Sequence, residues 1–184
     1  MPGHAGHARW GWHRLAPSWA ERLVADAAIS PGELVLDIGA GTGVLTAALV
    51  ERGARVVAFE LHPQRVAALR ARFAGHHRVT VVKADVADLR LPRRPFRVVA
   101  SPPFAQTTAV LTRLLAPGSR LVRADLVVQH QAAQRWAAGR GPGAGRWAQT
   151  WDARTGPRLP RNAFDPPPRC DCAVLRLTRS TGRR

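Results

Sequence analysis

A chain of 184 residues, 46% of them hydrophobic, is long enough for one domain with a single substantial core. Its formal charge of +16, from 28 basic and 12 acidic residues, exceeds what an enzyme of small neutral metabolites requires and points to a polyanion, nucleic acid above all. No run of about 18 apolar residues could form a membrane helix, and "MPGHAGHARWGWHR" lacks a signal-peptide core, so a cytoplasmic protein without membrane contact is expected.

In chain order, residues 1–14 read as a basic N-terminal arm and residues 15–184 as one domain. Ser18 and Glu21 have capping-box spacing, and Leu23, Val24, Ala27 and Ala28 give the helix behind them an apolar face. "LVLDIG" (34–39) reads as a buried strand, and Gly43 to Arg52 as a helix closed by Gly53. "ARVVAFE" (54–60) is a second strand. Pro63 opens a helix with Val66, Leu69 and Phe73 on its inner stripe. "RVTVV" (78–82) and "FRVVA" (96–100) are the third and fourth strands. A helix capped by Thr107 or Thr108 runs to Leu115, and "RLVRADLVVQ" (120–129) is a fifth strand. Residues 135–158 are rich in Gly, Arg and Trp with little periodicity, and "CAVLRLT" (172–178) is a last strand. Cys170 and Cys172 are too close in sequence for an easy disulfide and too few for a zinc site, so free thiols and no metal are expected. Strands alternating with helices imply a mostly parallel sheet with helices on both faces.

Such sheets bind ligands beyond the carboxyl ends of their strands. After the first strand comes "DIGAGTG", whose glycines let the backbone turn tightly and approach a ligand. After the second comes Glu60, an acid 21 residues beyond Gly39, placed to accept from both hydroxyls of a ribose. After the third comes Asp85, with Asp88 as its rival, a candidate acceptor for an adenine amino group. The glycines run G-x-G-x-G rather than the G-x-G-x-x-G of dinucleotide sites. The set fits an adenosine ligand without a pyrophosphate, and S-adenosylmethionine is one. After the fourth strand comes "SPPF" (101–104). Two prolines cannot continue a ladder.

"VLDIGAGTG", "VVAFE", "VVKADVADL" and "VVASPPF", in this order, resemble the class I S-adenosylmethionine-dependent methyltransferases. "LPRNAFDPPPRCDCAVLRL" and "RWGWHRLAPSWAERLV" are similar to segments of ribosomal RNA adenine-N6 methyltransferases, the second to short members of the erythromycin-resistance group. The resemblance implies a Rossmann-like fold with S-adenosylmethionine as cofactor. It implies Gly39, Ala40 and Gly41 against the methionine moiety, Glu60 and Leu61 at the ribose, Asp85 and Val86 at the adenine, and His13 and Ser101 bordering the cofactor. Ser101 and the Pro102 carbonyl would accept from the target amino group and aim its lone pair at the methyl donor. Phe104 would stack on the extruded base, with Phe164 packing beside it. Two departures stand out. The family usually has Asn where this chain has Ser101, and Ser-Pro-Pro-aromatic also resembles N4-cytosine DNA methyltransferases. The helical C-terminal domain of many relatives is expected to be absent, which leaves RNA to the catalytic domain, the arm and the 135–158 segment with Arg140 and Arg146. The expectation is a monomeric enzyme acting on an adenine N6 of 23S large-subunit RNA, naked or in an assembling particle, with macrolide-type resistance as the consequence. The alternatives are a DNA amino-methyltransferase and a non-catalytic RNA-binding assembly factor.

Overall fold

The computed structural model describes residues 13–180, so most of the expected arm lies outside the described residues. The strands are β1 (Arg14–Leu15), β2 (Leu34–Ile38), β3 (Arg55–Glu60), β4 (Val79–Lys83), β5 (Phe96–Ala100), β6 (Leu121–Gln129), β7 (Trp151–Leu159), β8 (Phe164–Asp165) and β9 (Cys172–Arg179). The α-helices are α1 (Pro17–Ala27), α2 (Val44–Glu51), α3 (Pro63–Arg72), α4 (Thr107–Leu114), α5 (His130–Ala137) and α6 (Ala144–Trp147). One seven-stranded sheet has the order β4-β3-β2-β5-β6-β9-β7. The first five of these are mutually parallel, and β9 runs antiparallel between β6 and β7. β1 and β8 form a separate antiparallel pair.

Every residue of β5 is buried, as suits a central parallel strand covered on both faces. Alternate residues feed opposite cores. Val35, Val56, Val99 and Val127 pack with α1 and α2, whereas Leu36, Val98, Leu126 and Leu175 pack with α4 and α5. α3 lies on the first of these faces, with Leu69 against Ala58 and Ala40. Arginines on β5 and β6 close the end of α1. Arg97 donates to the Ala27 and Ala28 carbonyls and pairs with Glu33, while Arg123 donates to the Asp26 carbonyl. That places positive charge where the helix dipole is negative.

Two expectations about elements are corrected. α1 begins at Pro17, with Ala16 as its cap and no side-chain cap. Proline preorganises the first helical position and moves the start ahead of Ser18. The 135–158 segment is ordered into the end of α5, α6 and most of β7. Its tryptophans face inward. Trp136, Trp147 and Trp151 are buried, the first two stacked with centroids 5.1 Å apart.

Candidate active site

The carboxyl ends of β2, β3, β4 and β5 meet at one cleft. β2 ends in a loop where Gly39, Gly41 and Gly43 all have positive φ. The amides of Gly39 and Ala40 donate to the Phe59 carbonyl, which ties the loop to β3. A Cβ on Gly39 would lie 3.1 Å from Pro103 Cδ and 3.3 Å from Pro102 Cα. Glycine there lets the loop after β2 touch the stretch after β5. At Gly43 the missing Cβ makes room instead for Phe73 and Leu69.

Glu60, the last residue of β3, is 5% exposed. Its Oε2 accepts from the Gly41 amide at 2.9 Å, and its Oε1 from the Leu61 and His62 amides at 2.9 and 2.8 Å. Arg65 adds an ion pair at 3.4 Å. The carboxylate therefore braces two loops of the cleft. β4 pairs in register with β3, Lys83 beside Glu60, so Asp85 and Val86 follow next to it. One Asp85 oxygen accepts from the Ala87 amide and caps the 3-10 turn Val86–Asp88.

Asp37 is a site residue that sequence reasoning left among the motif letters. It is fully buried. Oδ2 accepts from the Thr46 hydroxyl at 2.7 Å, and Oδ1 has no hydrogen-bond partner among the described residues. Burial pushes its carboxyl up to about 7, against the Thr46 hydrogen bond and helped by the nearby Glu60 charge. An acid ending a buried strand inside a glycine motif was the available signal.

Ser101 lines the cleft together with His13, Asp37, Gly39 and Ala40. Pro102 is buried behind it. Phe104 is half-buried against the core cluster of Leu15 and Val127, and its ring stacks with that of His13, centroids 5.6 Å apart. His13 Nδ1 donates to the Pro166 carbonyl at 2.8 Å, and the Thr107 hydroxyl donates to the Phe104 carbonyl. His13 thus lines the same cleft as the glycine loop while stacking on Phe104, a link no sequence spacing displays.

Phe164 is 3% exposed, pairs with Leu15 of the cleft wall and belongs to the core against which Phe104 packs. Two expected site residues are not brought to this cleft. Arg140 follows α5, which descends from the carboxyl end of β6, and Arg146 lines a cleft with Pro117, Ser119 and Arg179. Both arginines sit at the amino end of the parallel strands, opposite the glycine loop.

A family model described as ribosomal RNA adenine dimethylase matches residues 13–184. The rRNA adenine N-6-methyltransferase of Streptomyces fradiae is 35% identical over 169 residues, 87% of this chain and 51% of that protein. The ribosomal RNA small subunit methyltransferase A of a Synechococcus strain is 35% identical over 184 residues, 92% of this chain and 66% of its own length. The chain thus spans half to two thirds of these curated relatives. The crystal structure of the 23S rRNA methyltransferase ErmE superposes with a TM-score of 0.80 at 27% identity, over 91% of this chain and 70% of that one. With the family model covering all but the first twelve residues, the chain belongs to the ribosomal RNA adenine dimethylase family.

Proposed function

We propose that the chain methylates an adenine N6 of ribosomal RNA with S-adenosylmethionine, that its target lies in 23S RNA, and that macrolide-type resistance follows. The observation that carries this reading is the contact between the glycine loop and Ser101-Pro102-Pro103, which holds a nucleoside cleft against a stretch able to accept from an amino group. The residues fit such a cofactor. Positive-φ glycines leave room for a ligand, Glu60 ends β3, and Asp37 keeps an unpartnered buried oxygen that favours a cation. When bound, S-adenosylmethionine supplies an electrophilic methyl on a sulfonium.

The residues of the chain do the rest by orientation. Ser101 and the Pro102 carbonyl accept from the exocyclic amino group and turn its lone pair toward the methyl donor. Phe104 supports the extruded ring, and the core behind it together with His13 fixes its angle. Glu60 and Asp85 hold the adenosine side. Loss of the Ser101 hydroxyl leaves one acceptor in place, so it slows transfer without abolishing it.

A second target has support of its own. The small-subunit relative matches at the same 35% identity and over more of this chain than the Streptomyces fradiae protein. The deciding experiment is methylation of purified 23S RNA, 16S RNA and plasmid DNA with labelled donor, followed by mass spectrometry of the digested nucleosides. N6-methylated adenine in 23S RNA, with erythromycin-tolerant growth of the expressing cells, is the expected result. Label in 16S RNA alone moves the target to the small subunit. Label in DNA alone, or cofactor binding with no turnover, overturns the reading.

A further inference from the structure

The amino end of the sheet carries a row of arginines that the methyl-transfer site does not use. Arg78 precedes β4, Arg55 begins β3, Arg94 precedes β5, Arg120 precedes β6, and Arg179 ends the antiparallel β9. All five are exposed. Across six neighbouring strands at about 4.8 Å each, the row extends roughly 24 Å. At the β4 side it deepens into a cleft of about 500 Å³ lined by Arg55, His77, Arg78 and Arg94, with Leu34, Val57 and Thr80 as its floor.

Among the described residues, no carboxylate lines this cleft. Glu33, just before β2, is the acid nearest in the chain to its floor. It is committed to Arg97 at 3.1 Å and to the Ser30 amide, on the α1 side of the sheet. Asp26 and Glu51 belong to α1 and α2, which cover that same opposite side. Bringing three guanidinium groups and a histidine into one concave surface without acids costs repulsion that an anion offsets. Guanidinium forks suit phosphate oxygens. The floor is made of residues of β2, β3 and β4, which are hydrogen-bonded neighbours in the sheet.

We propose that this cleft takes neighbouring phosphates of the RNA backbone, one against each of Arg55, Arg78 and Arg94, and that the arginine row is a second RNA-contact surface at the end of the sheet opposite the candidate methyl-transfer site. The proposal rests on the RNA reading above and adds where a remote part of that RNA lies. At about 3.4 Å of rise per nucleotide, the row matches some seven nucleotides of a stacked strand. The RNA then contacts both ends of the domain, the target base at one and the backbone at the other.

The test measures binding of a 23S RNA transcript across a salt series for the wild type and for the triple variant Arg55→Gln, Arg78→Gln, Arg94→Gln. Three lost phosphate contacts at about 0.7–0.9 each should flatten the log–log salt slope by roughly 2–3. Affinity for S-adenosylhomocysteine, measured by calorimetry, should stay at the wild-type value and report an intact fold. The corresponding triple lysine variant should keep the slope, because the slope counts neutralised phosphates and each lysine keeps its charge, even where the lost guanidinium fork lowers affinity. Arg94→Gln alone, on a surface loop, should flatten the slope by about one contact and covers the case in which the triple variant fails to fold. A wild-type slope in the glutamine variants, or an equal loss of slope in the lysine variant, overturns the proposal while leaving the RNA reading standing. A wild-type protein with no steep salt slope sinks both.

Discussion

Asp37 pairs a fixed position with an unsatisfied oxygen, and its chemistry follows from that. The unfolded carboxyl titrates near 3.8, and burial raises it to about 7 in the fold. Below the lower value it is protonated in both states, and the stabilisation from a neutral buried acid is fully present. As the pH rises through about 7 the fold must hold a bare carboxylate, and that stabilisation is lost. The span is on the order of 4 kcal/mol. Asp37→Asn carries no titrating proton, so wild type should lose stability relative to it between about pH 4 and 7; parallel thermal-unfolding curves across that range would refute this. A cationic ligand reverses the balance by favouring the ionised form, so cofactor binding near neutral pH should release a proton, readable by calorimetry in two buffers. Glu60 behaves differently, because three loop amides already point at it. Read from sequence it is a ligand residue only. In the fold it also braces the loops, so Glu60→Ala should cost about 1.5–3 kcal/mol of stability without any cofactor, in addition to weakening cofactor binding. A cofactor-free variant that unfolds like wild type would leave the carboxylate with the ligand role alone.

Elements explain which parts of this protein its sequence displays. β2, β3 and β5 are short apolar runs closed by Gly, Glu and Ser-Pro-Pro, and a central parallel strand has little choice but to look like that. β7 is an edge strand broken by Gly156-Pro157, where its register with β9 shifts between Thr155 and Arg158. A bulge removes the alternation by which strands are recognised, and only Trp151 and Leu159 at its ends are buried. α5 buries just Ala133 and Trp136, too narrow a stripe to read as a helix. The site was legible where it depends on strand ends, as with the glycines, Glu60 and Ser101. It was not legible where it depends on contacts across the fold, as with His13 on Phe104 or Phe164 in the core. Gly39 shows how tightly two elements share the cleft. Gly39→Ala meets both a left-handed backbone and the prolines after β5, which cannot fold away as a flexible side chain would. It should weaken cofactor binding and slow methyl transfer together, at a stability cost of about 1–3 kcal/mol. Normal turnover with weaker cofactor binding would mean that the loop shifts without moving Ser101.

The whole domain is a rigid sheet with different chemistry at its two ends. Asp37, Glu60 and Asp85 put carboxylates at the carboxyl end, around a cleft suited to a cationic nucleoside, while Arg55, Arg78 and Arg94 gather at the amino end. A polyanion lying across the molecule would be repelled by the first group and held by the second, so the arginine end contributes grip and the other end admits one base. Energies measured at the two ends should then be independent, since sites more than about 10 Å apart with no shared partner add to within roughly 0.5 kcal/mol. Phe104→Ala removes the stacking surface and should cost about 1–3 kcal/mol of RNA affinity with little change in salt slope. The triple glutamine variant should lower affinity through the slope. Combined, the two losses should sum. RNA affinities of wild type, each variant and the combination, all at one salt concentration, complete the cycle. A coupling well above 1 kcal/mol would mean that both sets of residues grip the same part of the RNA, and the separation of base recognition from backbone grip would have to be abandoned.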